Sequence, residues 1–156
     1  MLNLSELVRG GTVCLAKTGL AIGGTTSKAK ILVPDGSNGL TFAIKGKTYY
    51  VASADDLVTL TANSQTALYS CIYLVCISAT NVITTVAGTE VLTADITAGK
   101  KVLTWPEATA NTCPIGAIRV DAGASAFVAG TTALTGGTVT VTYYDLFAVP
   151  DAPQTS

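Results

Sequence analysis

From Gly11 onward the sequence alternates short runs of Val, Ile, Thr and aromatic residues with Gly, Asn, Asp or Pro. This alternation limits the fold more than any other feature. Runs of four to eight β-prone residues broken at short intervals by turn formers belong to antiparallel sandwiches and barrels, and leave no room for the long crossover helices of parallel sheets. The candidate strands are Thr12 to Lys17, Lys28 to Val33, Leu40 to Ile44, Thr48 to Ala52, Leu57 to Thr61, Ala67 to Ser78, Val82 to Val86, Lys101 to Thr104, Ile115 to Asp121, Ala126 to Val128 and Thr138 to Tyr144. About eight to ten of these are expected to be real strands. The fold class expected is therefore all-β, an antiparallel β-sandwich or barrel-like domain with a short N-terminal arm and a loose C-terminal tail.

Two runs can be oriented by their period of two. Val139, Val141 and Tyr143 fall on one face of their strand, and Thr138, Thr140 and Thr142 on the other. Ile118 and Val120 likewise oppose Ala117 and Arg119, which sends Arg119 to solvent or to an interface. Tyr49-Tyr50 and Tyr143-Tyr144 each place one ring on either side of a strand, one in the core and one at a surface. Lys45-Gly46-Lys47 has the form of a hairpin turn in which Gly46 supplies a positive φ, and Gly136-Gly137 has the same role before the last strand.

Helix signals are few. Ser5 can cap a short turn over Glu6 to Arg9, and Pro106-Glu-Ala-Thr-Ala can begin another after Trp105. In domain terms, residues 1–24 read as an arm with the first strand and a possible partner contact, residues 25–150 as the β domain, and residues 151–156 as a flexible tail.

The chain has 156 residues, enough for one core and short of two. Hydrophobic residues make up 49% and charged residues only 12%, against a usual charged share of about 25%. A surface so poor in charge is expected to be neutral or covered by neighbours. The formal net charge of −1 and the thin spread of nine basic residues argue against a nucleic-acid partner, which needs a clustered basic face. Lys28 with Lys30, Lys45 with Lys47, and Lys100 with Lys101 read as solubilising charges at turns and strand edges. The longest apolar run, Ala67 to Ala79, is interrupted by two serines and is too short to cross a bilayer as a helix, so it reads as a buried strand and no membrane contact is expected. Met1-Leu-Asn-Leu-Ser-Glu lacks the basic start and apolar stretch of an export signal.

Catalytic chemistry is hard to assemble from this inventory. The chain has no histidine, which removes the commonest general base, the usual activator of Ser and Cys, and the most frequent zinc ligand. Gly46-Lys47-Thr48 matches the end of a phosphate-binding loop, but Thr41 stands where the pattern needs glycine, and a strand pattern follows in place of a helix. Gly23-Gly24 reads as a turn, and Asp55-Asp56 as turn residues without the spaced oxygen ligands of a calcium loop. Cys14, Cys71, Cys76 and Cys113 read as free buried thiols. Cys71 and Cys76 are five apart in one strand and so face opposite ways; a Cys14 to Cys113 bridge stays open. No catalytic residue, cofactor or metal is assigned, and the chain is read as a non-enzyme.

The C-terminal third carries a resemblance. Cys113-Pro114-Ile115-Gly116-Ala117-Ile118 has a "Pro-x-Gly-x-hydrophobic" strand start. A "Phe-x-x-Gly-Thr-Thr-x-Leu" turn follows from Phe127 to Leu134, and then a Thr/Val strand ending in Tyr144-Asp145. Together with Trp105-Pro106 upstream, this stretch resembles a module of tailed-phage virion proteins. The resemblance implies a capsid decoration or cement protein, made in the host cytoplasm and carried on the capsid surface of the virion. Its implied partners are the major capsid protein and itself, as a homotrimer. The alternative is a fibre- or tail-associated virion domain involved in host-surface attachment. Leu2, Leu7, Val8, Trp105, Arg119 and Tyr144 are the candidate interface residues: the first three are apolar without a strand partner, and Trp105 reads as a core or interface anchor.

Overall fold

The computed structural model describes residues 11–33, 39–61 and 63–147. In chain order the strands are β1 (Val13–Cys14), β2 (Leu20–Ile22), β3 (Lys28–Ile31), β4 (Gly39–Ile44), β5 (Lys47–Ala52), β6 (Ala54–Thr59) and β7 (Ser64–Gln65). There follow β8 (Tyr69–Ser78), β9 (Ile83–Ala87), β10 (Val91–Leu92), a one-turn helix α1 (Thr93–Thr97), β11 (Thr112–Ala122), β12 (Phe127–Val128) and β13 (Val139–Asp145). Every pairing among them is antiparallel.

The organising layer is a five-stranded sheet in the order β10-β8-β11-β13, with β9 pairing the same side of β8 as β10. Against it pack two three-stranded sheets, β1-β4-β5 and β2-β3-β6, and a small β7-β12 ribbon. The architecture is an all-β, sandwich-like domain. Its main core joins Cys71, Tyr73, Val75 and Ile77 of β8 and Ile118 and Val120 of β11 to Phe42, Ile31 and Val58 of the facing sheets.

β8 is buried on both faces from Ser70 to Ile77, because its even residues do not face water. Ile72, Leu74 and Cys76 join Ala117 in a second, smaller cluster, closed by Val86, Leu103, Tyr144 and Leu146. The apolar run Ala67 to Ala79, broken only by Ser70 and Ser78, is the sequence signature of this double burial. Cys71 and Cys76 do face opposite ways, one in each cluster.

In β11 the pairing with β8 shifts between Pro114 and Gly116, so that Ile115 is an extra residue. Such a bulge reverses the in-out parity, which lets Cys113 and Ile115 share the core with Ile118 and Val120. Pro114 sits at the bulge, where a missing N–H does least harm. Gly116 permits a close approach: a Cβ there would meet the Leu20 side chain and lie 2.7 Å from the Tyr144 carbonyl oxygen.

The turn at Lys45-Gly46 joins β4 and β5, with φ of 51° and 79° at the two residues. Both central residues are left-handed, the geometry that matches the twist of a two-residue hairpin. The phosphate-loop lookalike Gly46-Lys47-Thr48 is thus a hairpin corner. Gly23-Gly24 lies in the β2–β3 connection and Gly136, with φ 108°, in the turn before β13. In β13, Val139, Val141 and Tyr143 pack on the core side while Thr140 and Thr142 are exposed. Tyr49 packs on the core, stacked on Phe42, and Tyr50 is exposed.

Several expectations need correction. Lys101 to Thr104 is no strand but an irregular stretch that lays Leu103 over the second cluster and leaves Val102 exposed. Pro106-Glu-Ala-Thr-Ala forms no helical turn; the only turn there tightens at its end, where the Thr112 N–H donates to the Thr109 carbonyl. The one described helix is α1, whose first turn has no side-chain cap. Asp55 and Asp56 belong to β6 and not to a turn. Asp56 has φ 58° and accepts hydrogen bonds from the N–H and hydroxyl of Thr25, so it fastens the β2–β3 connection to the neighbouring strand. Within residues 1–24, Val13 already pairs with Ala43 and Leu20 with Ile31, so both β1 and β2 belong to the β domain. The expected turn over Glu6 to Arg9 and the tail 151–156 lie outside the described residues.

Candidate functional site

A groove of about 810 Å³ is lined by residues of β1, β8, β11 and the segments next to Trp105 and Leu146. Lining it are Val13 and Cys14 of β1, Leu74 of β8 and Pro114 at the start of β11. The irregular segment Trp105-Pro106-Glu107-Ala108 and Leu146-Phe147, just past the end of β13, complete the lining. Irregular chain is found here because Pro106 blocks regular pairing and the segment must pass over the outer face of the five-stranded sheet.

Trp105 is held by an aromatic contact. Its ring meets that of Tyr144 edge to face, with centroids 5.7 Å apart, yet the indole remains 49% exposed. Phe147, which also lines the groove, is 41% exposed. Two large aromatics left half in water in one cleft mark a surface ready to be covered. Among the described lining residues, Glu107 is the only charged one.

The groove's one potential nucleophile is subdued. Cys14 is 2% exposed and donates to the Ala16 carbonyl at 3.1 Å; burial pushes its thiol up from the ordinary value. Burial also raises the other thiols, Cys71 to about 11 and Cys113 to about 12. A thiol in this range is almost entirely protonated at neutral pH and reacts slowly. All four cysteines are free and buried, so the Cys14 to Cys113 bridge is not made. Among the described residues no group of three or more His, Cys, Asp or Glu is placed to hold a metal ion. No helix among them is long and apolar enough to cross a membrane.

Of the candidate interface residues, the structure brings Trp105 and Tyr144 into ring contact, and Trp105 lines the groove. Arg119 lies beside Tyr144, half-buried on the outer face of β11, where its Nε donates to the Asp121 carboxylate at 2.8 Å. It is neutralised by its neighbour two residues along the strand and does not reach the groove. Leu2, Leu7 and Val8 lie outside the described residues. Sequence reasoning missed Pro114, Leu146 and Phe147 as groove residues; the signal for the last two is an apolar pair directly after a strand whose period has ended at Asp145.

Comparison of the chain with protein-family models, with curated proteins and with solved structures gave no significant match.

Proposed function

We propose that this chain is a structural component of a tailed-phage particle, a decoration or cement protein that binds the assembled capsid shell and stabilises it. What supports this is the groove: a nearly uncharged cleft with two half-exposed aromatics in its lining, in a molecule whose thiols are all buried and whose sequence has no histidine. A cleft of this kind is built to bury apolar groups of a partner, with Trp105 and Phe147 as anchors and the single carboxylate of Glu107 to fix orientation. The resemblance of the stretch from Trp105 to Leu146 to phage virion modules points to the partner: the major capsid protein, with copies of this chain grouped in threes as in proteins of that kind.

The energetic logic is linkage. A protein that binds only the assembled lattice adds its binding free energy to the stability of that lattice, and each further copy adds another increment. The low charge share of 12% suits broad neutral contacts with a shell and with neighbouring copies.

A second reading is favoured by one feature of the same groove. Two exposed aromatics on a concave surface with a nearby carboxylate also suit the stacking of a sugar ring, as a fibre- or tail-associated attachment domain would need. Purified protein mixed with expanded capsids and imaged separates the two. Regular density at local three-fold positions supports decoration, and density confined to tails or vertices supports attachment. Deletion of the first ten residues tests the arm formed by Leu2, Leu7 and Val8: unchanged capsid binding would remove it from the interface.

A further inference from the structure

β13 is the outer strand of the five-stranded sheet, and among the described residues no strand occupies its far side. The direction of its backbone groups follows from two hydrogen bonds that bracket it. The Leu146 N–H donates to the Ile115 carbonyl at 3.1 Å, and the Gly123 N–H to the Thr138 carbonyl at 2.8 Å. Both fit the β11–β13 register in which Gly116 faces Asp145 and Ala122 faces Val139. Bonded and non-bonded pairs alternate along an antiparallel ladder. Thr140, Thr142 and Tyr144 therefore turn their backbone groups toward β11, whereas Val141 and Tyr143 turn theirs toward the open side. Among the described residues neither Val141 nor Tyr143 has a backbone partner there.

This edge lacks the usual defences. Lysine, proline, glycine and inward charge keep edge strands from pairing with other chains, and none occurs from Val139 to Tyr144. Only the end of the strand is covered, where the Asp145 carboxylate accepts the Leu20 N–H at 3.0 Å and lies 3.9 Å from the Lys17 ammonium. Val141 and Tyr143 remain half-buried on the core face because the sheet stops beside them.

We propose that a second copy of this chain pairs with this edge, β13 against β13, antiparallel about a two-fold axis through Val141. An axis through Thr142 would set Val139 against Asp145, and one through Thr140 would set Tyr143 against Gly137, whereas an axis through Val141 matches like with like. Val141 faces its own copy, Val139 faces Tyr143 on the core side, and Thr140 faces Thr142 on the outer side. The outward groups of Val141 and Tyr143 gain partners, and the half-buried apolar side chains become part of one continuous core face. Centring the pair on Tyr143 would set Val141 against Asp145, whose carboxylate is already engaged by Leu20; centring it on Val139 would run the strand into the Gly136 turn. The pairing uses none of the residues that line the groove, so it stands or falls separately from the particle proposal. On a shell it ties copies at neighbouring positions to one another.

The test uses the full chain and its own silent background, since all four native cysteines are buried. Thr140→Cys and Thr142→Cys proteins are purified separately, mixed and mildly oxidised. The expected result is a covalent dimer in the mixture and little in either protein alone, because only unlike positions face each other across the axis. Adding Val141→Pro to both proteins removes an N–H that β11 does not use, and adding Val141→Lys sets like charges on the axis without touching the backbone. Each is expected to lower the cross-linked fraction by roughly tenfold or more. No dimer in the mixture, equal dimer in the single proteins, or a dimer that survives Val141→Lys overturns the proposal.

Discussion

The rings of Trp105 and Tyr144 meet edge to face at an interplanar angle of 68°, and this contact fixes an irregular segment to the outer face of a sheet. Trp105 thereby serves two purposes, since it also lines the groove. Edge-to-face aromatic pairs add about 0.5–1.5 kcal/mol beyond the area they bury. Trp105→Ala is therefore expected to cost the fold only about 1–2 kcal/mol in urea denaturation, because the side chain is half exposed already. Its effect on binding to capsids should be larger, a loss of roughly tenfold or more in affinity. Equal binding by the variant would remove the groove from the interface.

Two buried tyrosines give opposite predictions. The Tyr73 hydroxyl donates to Gln65 Oε1 at 3.2 Å, while Gln65 Nε2 donates to the carbonyls of Tyr69 and Val120. Gln65→Leu removes three hydrogen bonds in a buried site, leaving the Tyr73 hydroxyl only the long one from Asn63 Nδ2 at 3.4 Å, and should cost about 2 kcal/mol or more. The Tyr143 hydroxyl is buried without a hydrogen-bond partner among the described residues. Tyr143→Phe should be neutral or stabilising by about 1 kcal/mol, since it removes an unpaired polar group. Unfolding midpoints of the two variants, measured side by side, check the contrast.

Gly116 sits where two layers come closest. Alanine there would press on the movable Leu20 side chain and on the immovable Tyr144 carbonyl, 2.7 Å away. Gly116→Ala should destabilise by about 1–3 kcal/mol, and trimming Leu20 to alanine in the same chain should not restore the loss. Full rescue by the Leu20→Ala change would mean that the carbonyl contact carries no strain.

Asp56 predicts a pH effect. Two hydrogen bonds from Thr25 hold its carboxyl below the ordinary value of 3.8. The folded state therefore favours the ionised form, and the resulting stability is fully present above pH 3.8 and is lost as pH falls through the lower folded value. Asp56→Asn, which keeps a side chain tolerant of φ 58°, should lower the unfolding midpoint at neutral pH. The gap from the natural protein should narrow well below pH 3.8. A gap that stays constant with pH would show that the Thr25 contacts do not depend on the charge.

Most strands were legible in the sequence: β1, β3, β4, β5, β6, β8, β9, β11, β12 and β13 overlap their expected runs, most fully where the period or the apolar content is strong. β2 was hidden because Leu20-Ala-Ile is brief and sits beside Gly19 and Gly23, so the glycines read as a turn and the strand as part of an arm. α1 was hidden because Thr93-Ala-Asp-Ile-Thr is rich in β-branched residues and lacks a capping side chain; it is one turn shaped by its neighbours. Lys101 to Thr104 misled because its alternation is that of a strand, although Pro106 follows and Leu103 packs on the second cluster instead of pairing in a sheet. The groove was only half visible. Trp105 and Tyr144 stand out as aromatics, but Val13, Pro114 and Phe147 come from segments far apart in sequence, and only the sandwich brings them together.

Cryo-electron microscopy of expanded tailed-phage capsids incubated with this protein tests the central claim most directly. Regular added density on the shell, seen with the natural chain and lost with Trp105→Ala, is the result expected of a decoration protein that docks through the groove. A bare shell at saturating protein, with or without density at the tail, would contradict it.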